Sequence, residues 1–117
     1  MSNLDIAIQF IDAFRDGDWD KAREVMHVDM IHASPTDHTI GAEAFIELYR
    51  ANFAGNGWRY ELIDSISEGD RVALRYRSII PGMYDTEMVE WFEIKESKIV
   101  RADNYLAKFP GMPPDDL

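Results

Sequence analysis

A glutamate set among core residues is the group in this chain best placed to do chemistry. From Thr86 to Ile94 the residues alternate, with Met88, Glu90, Phe92 and Ile94 on one face and Val89, Trp91 and Glu93 on the other. An ionised carboxylate between such neighbours is costly, so Glu90 must take up a proton or find a partner. A carboxyl with a raised pKa is what general acid or base work at neutral pH requires. Upstream, Asp29 to Ser34 alternates Met30, His32 and Ser34 against Ile31 and Ala33, which turns His32 and Ser34 toward one interior. An imidazole there can shuttle a proton or hold Glu90. Glu90 and His32 are therefore the candidate catalytic pair.

Five further residues are candidates for holding a ligand. Tyr76 is expected opposite Glu90 across a hairpin, and Asn104 sits among inward apolar neighbours on the last strand; both can orient a ligand oxygen. Ser34 precedes Pro35 with no adjacent base, so its hydroxyl is read as a hydrogen-bonding group rather than a nucleophile. Tyr60 and Trp58 are read as pocket wall. His27, near a helix end, and His38, in a turn-rich loop, are expected at the surface. Their spacing with Asp29 and Asp37 matches no metal-ligand pattern, so neither a metal nor a cofactor is expected.

The elements that must position these groups follow from period and punctuation. Ser2 and Asp5 open a first helix whose buried stripe carries Leu4, Ala7, Ile11 and Phe14, with Ile6, Phe10 and Ala13 beside it. Gly17-Asp18 breaks it, and a second helix buries Trp19, Ala22, Val25 and Met26. A third runs from about Ala42 with Phe45, Leu48, Tyr49 and Phe53 at spacings of three and four, stopping at Gly55-Asn56-Gly57. From Trp58 the period becomes two. Trp58, Tyr60, Leu62, Asp64 and Ile66 share a face of one strand, Val72, Leu74 and Tyr76 face inward on the next, and a last strand over Ile99–Lys108 sets Val100, Ala102, Asn104 and Leu106 against Ile99, Arg101, Asp103 and Tyr105. Turns fall at Glu68-Gly69-Asp70, Pro81-Gly82 and Lys95–Lys98, and Pro110 opens an acidic tail over 110–117.

A chain of 117 residues, 46% apolar, with a net charge of −10 reads as one globular domain over 1–109 rather than a disordered acidic segment. The acidic surplus argues against nucleic acid and anionic membranes as partners. There is no cysteine, hence no disulfide framework or thiolate nucleophile. The first residues lack the basic start and apolar run of a signal peptide, and a cytoplasmic protein is expected. Val89, Trp91, Ile99 and Tyr105 alternate outward, and that apolar patch predicts a homodimer through the outer sheet face.

Three helices followed by a long alternating meander, with Gly17-Asp18-Trp19, Gly69-Asp70-Arg71-Val72 and Lys98-Ile99-Val100 at its corners, resembles the nuclear transport factor 2-like superfamily, in its SnoaL-like and ketosteroid-isomerase-like branch. The resemblance covers nearly the whole chain. It implies an α+β cone, a curved antiparallel sheet packed on three N-terminal helices and enclosing one pocket. Laid on the ketosteroid isomerases, the base position falls on Ser34, the oxyanion-hole tyrosine on Phe10 and the oxyanion-hole acid on Glu90, so only the last keeps an acid. The limonene-epoxide-hydrolase-like acids fall within Tyr76-Arg77-Ser78 and Asn104-Tyr105-Leu106, where neither is kept. Two readings follow: an acid-base isomerase, cyclase or hydrolase acting on a hydrophobic carbonyl compound, or a non-catalytic dimeric domain that binds an apolar metabolite or has a structural role only.

Overall fold

The computed structural model describes residues 1–107. The expected tail over 110–117 and the end of the last strand at Lys108 lie outside them. Helix α1 (Asn3–Asp16) opens on a reciprocal capping box between Ser2 and Asp5 and ends on Gly17, whose φ of 68° lies in the left-handed region glycine tolerates best. Asp18 then accepts from the Lys21 N–H and caps α2 (Trp19–Val25). Strand β1 (Met26–Ala33) follows without a linker, then β2 (His38–Ile40) and α3 (Ala42–Asn52). The meander is β3 (Arg59–Glu68), β4 (Arg71–Ile80), β5 (Tyr84–Lys95) and β6 (Lys98–Leu106).

These strands form one curled sheet in the order β2-β1-β6-β5-β4-β3, open at both edges. The fold is the expected α+β cone, with two departures in topology. β1 lies parallel to β6, pairing His32 with Ala102, so the sheet is not wholly antiparallel. His38 is not in a loop: with Thr39 and Ile40 it forms β2, pairing with Ala33, His32 and Ile31. His27 stands two residues past the end of α2, at the start of β1, and both it and His38 are exposed as expected. A three-residue strand holding Thr and Ile gives too few positions for a period to register in sequence.

Register shifts account for two further departures, and the pairing of β4 with β5 for a third. The pairing of β3 with β4 slips at Ile63, so Leu62 opposes Tyr76 on the inner side while Asp64 opposes Arg75 and Ile66 opposes Ala73 on the outer side. Trp58, Tyr60, Leu62, Asp64 and Ile66 therefore do not share one face, since an extra residue in a strand swaps the faces beyond it. A second shift, between Glu93 and Ile94, pairs Ile94 with Ile99 and turns Ile99 into the core, removing it from the outer patch expected of it. In the β4–β5 pair Glu90 opposes Leu74, and Tyr76 opposes Met88, so Tyr76 is a diagonal neighbour of Glu90. α3 also ends earlier than expected, at Asn52, and a turn segment carries the chain over 53–57.

The helices lie on the concave side. α1 packs against β3, β4 and β6, and α3 against β1 and β2. Between them sits an aromatic cluster: Phe10 stacks on Phe45 at 5.7 Å and meets Phe92 edge-on at 5.5 Å, and Phe14 meets Phe45 at 5.0 Å. No helix among the described residues is long and apolar enough to cross a membrane.

Candidate active site

The cone leaves a cavity of about 240 Å³ between α1, α3 and the inner faces of β1, β4, β5 and β6. That is roughly the share of eight water molecules in the liquid, slightly under the range of pockets for drug-sized ligands. Phe10 and Phe14 reach it from α1, Phe45 and Tyr49 from α3, and Trp58 from the start of the meander. Its mouth runs past Ser34, Pro35, Thr36 and Asp37 in the turn after β1. A second, shallower hollow of about 300 Å³ adjoins it outside the sheet, between the helices and the turn over 53–57, sharing Phe14, Tyr49, Phe53 and Trp58 and lined besides by Arg15 and Asp16.

Of the seven candidates, six line the main cavity: Glu90, His32, Ser34, Tyr76, Asn104 and Trp58. Tyr60 does not. Its hydroxyl turns to α1 and donates to Asp12 Oδ1 at 2.5 Å, and that burial beside a carboxylate pushes the phenol well above its ordinary range. Trp58 donates through Nε1 to Ser78 Oγ at 2.7 Å. Ser34 Oγ accepts from the backbone N–H of Asp37 at 3.0 Å, so the serine shapes the turn at the mouth.

Glu90 is 4% exposed. Burial pushes its carboxyl up to about 7; the Tyr76 hydroxyl, donating to Oε1 at 2.9 Å, restrains the rise, and the Asp103 charge adds to it. The acid is therefore divided between its two forms near neutrality. His32 is fixed through Nδ1, 2.9 Å from the Ala102 carbonyl oxygen. A carbonyl only accepts, so Nδ1 carries the proton and Nε2 the lone pair. Burial holds this imidazole below its ordinary value of 6.5, against the pull of that hydrogen bond and of Asp103 and Asp37, and its ring lies 4.5 Å from that of Phe45. Of the two partners open to Glu90, His32 and Tyr76, it finds Tyr76; among the described residues no hydrogen bond or ion pair joins it to His32.

Two polar residues in the wall escaped the sequence reading. Ser78 and Thr86 oppose each other on β4 and β5, both buried, and both line the cavity. The alternation through Tyr76 and Met88 extends to them by two residues in each strand, which was the available signal. Opposite Glu90 on β6 stands Asn104, whose Oδ1 is buried with no hydrogen-bond partner among the described residues.

The fold is shared with proteins of known structure. A proposed ketosteroid isomerase from Kribbella flavida superposes with a TM-score of 0.81 at 12% identity, covering 97% of this chain and 83% of its own. A proposed polyketide cyclase from Sinorhizobium meliloti gives 0.77 at 21% identity, over 90% and 100%. An LEH-like epoxide hydrolase of M. tuberculosis gives 0.77 at 16%, over 89% and 81%. At these identities the likeness is one of fold. No curated protein matches the chain in sequence. The SnoaL-like domain family, in contrast, matches residues 7–102, a span that runs from α1 to the middle of β6 and takes in both Glu90 and His32, and the chain belongs to that family.

Proposed function

We propose that the protein is a small acid-base enzyme, an isomerase, cyclase or hydrolase, acting on a hydrophobic carbonyl compound or a related oxygen electrophile. One observation carries this reading: a fully enclosed carboxyl poised near pH 7 in the wall of an apolar cavity that also presents a neutral imidazole. Tyr76 occupies Oε1, so Oε2 is the oxygen that exchanges a proton with the ligand. His32 Nε2 is the complementary base. Since the two groups do not touch, the ligand lies between them and receives a proton at one point as it gives one up at another. The fold neighbours described as isomerase, cyclase and epoxide hydrolase support the class of chemistry.

The test is a panel of small cyclic ketones, enones, lactones and epoxides, followed by turnover and by thermal shift. At least one class should be converted, with a rate that titrates near pH 7 through Glu90. Compounds that raise the melting temperature and are never converted would leave a binding protein instead.

That binding protein, dimeric through the outer sheet face, is the second reading. Its support is apolar exposure there: Tyr105 is 60% exposed on β6, Ile40 66% on β2 and Ile66 70% on β3, with Val89 and Trp91 half-buried between. Arg75 and Glu87 pair on the same face and can ring such a patch. Sedimentation at micromolar concentration should give twice the chain mass, and a Tyr105→Lys variant should shift it toward the monomer; a wild-type monomer would end this assignment.

A further inference from the structure

The polar groups in the cavity wall are unbalanced in a way that selects a ligand. Among the described residues lining it there is no lysine or arginine, and its ionisable acids are Glu90 and Asp37. A carboxylate or phosphate carried into this space would lie beside Glu90 with no cation to compensate it, the arrangement that costs most in a low-dielectric interior. The protein's charge of −10 acts in the same direction from outside.

The hydrogen-bonding groups point the same way. Asn104 Oδ1 is buried without a donor among the described residues. His32 has spent its one N–H on the Ala102 carbonyl and offers a lone pair. Glu90 already accepts from Tyr76 and has its second oxygen left for the ligand. Two acceptors, His32 Nε2 on β1 and Asn104 Oδ1 on β6, thus stand around one space with Glu90 Oε2 on β5, which accepts when ionised and donates when protonated, and a buried acceptor left empty costs the full desolvation of that group. A ligand that only accepts hydrogen bonds leaves both acceptors unanswered.

We propose that the cavity takes a small, non-anionic cyclic molecule whose polar head donates hydrogen bonds, a hydroxyl or an amine, and that it excludes carboxylates and phosphate esters. The inference rests on the reading that the cavity holds a small apolar molecule. Within the proposed chemistry it selects hydroxy-ketones, enols and phenols over keto acids and phosphate-bearing acyl carriers. The walls of Phe10, Phe14, Phe45 and Trp58 suit a flat or compact ring, and their faces also favour an ammonium over an anion.

Titration calorimetry of the whole protein at pH 7 with four probes of similar size tests this: 1-phenylethanol, 1-phenylethylamine, acetophenone and benzoate. The alcohol and the amine should bind roughly ten-fold or more tightly than acetophenone, which has the same skeleton without a donor, and benzoate should show no binding. Asn104→Leu should fold, keep its acetophenone affinity and bring the alcohol down to within about two-fold of it. Benzoate binding as well as the alcohol, a ketone binding as well as the alcohol in wild type, or an alcohol preference undiminished in Asn104→Leu would each overturn the proposal while the apolar cavity stands. If none of the four binds, the cavity reading falls and this inference with it.

Discussion

Glu90→Gln is expected to melt higher than wild type at pH 8 and to turn over substrate roughly 10²- to 10⁴-fold more slowly. The stability gain follows from proton linkage. Glu90 moves from about 4.5 in the unfolded chain to about 7 in the fold, so between those values the folded protein holds a proton that the unfolded one has released. Whatever advantage Glu90 gives is complete below pH 4.5 and is lost as the pH rises through 7; above that the carboxylate is buried against its preference. A shift of that size corresponds to about 3 kcal/mol at pH 8. Glutamine has the same shape, still accepts from Tyr76, and places an amide donor opposite Asn104 Oδ1, which has no partner among the described residues. The variant's advantage should therefore be largest at pH 8 and fade toward pH 4.5. His32 slopes the other way, since its lowered pKa makes the fold lose stability as the pH falls below 6.5, but both proteins carry it and the difference between their curves isolates Glu90. Chemical denaturation at pH 5 and pH 8, with turnover at pH 7, reads all three. A variant that keeps full activity would take Glu90 out of the mechanism and leave His32 as the base; one less stable at pH 8 would mean that the carboxylate is better satisfied than its burial implies.

The inward faces of β4 and β5 were legible because two regular strands alternate without interruption, and Val72, Leu74 and Tyr76 on one strand and Met88, Glu90 and Phe92 on the other hold their phase over six residues. The helix starts at Ser2 and Asp18 were legible because a cap is a local interaction whose donor and acceptor are three residues apart. What was lost was lost at irregularities. The shifts at Ile63 and between Glu93 and Ile94 leave no mark in composition, since a β-branched residue suits either face of a strand, yet each reverses every assignment beyond it. Ile99 and Ile66 were misplaced for that reason. Tyr60 is a different case. Its position on the inner side was legible, but the tie that draws its hydroxyl out of the cavity comes from Asp12, 48 residues earlier on the polar side of α1, and no local pattern contains such a pair. The separation of His32 from Glu90 is likewise a matter of strand order: β6 stands between β1 and β5, and its Ala102 carbonyl accepts the hydrogen bond from the histidine's Nδ1.

Phe92→Ala should cost about 3 to 5 kcal/mol, a large part of what a domain of this size has, whereas Phe53→Ala should cost well under half of that. Phe92 is completely buried on β5, two residues beyond Glu90, and Phe10 of α1 meets it edge-on. It lies behind the cavity rather than in its wall, so truncation opens a void that the stiff sheet on one side and the packed helix on the other cannot close. Phe53 is half-buried at the end of α3, and its ring already borders open space in both hollows. Removing it enlarges a hollow that exists and forfeits fewer contacts. Urea unfolding of the two variants measures the contrast directly, and the Phe92 variant should melt roughly 10 to 20 °C lower than wild type. Equal losses would show that the cavity is not open in solution and that Phe53 packs as core. The difference also bears on function: Phe10, which does line the cavity, rests edge-on against Phe92, so truncating Phe92 loosens that wall and a ligand that fits the wild-type cavity should bind the Phe92 variant more weakly even under conditions where that variant is fully folded.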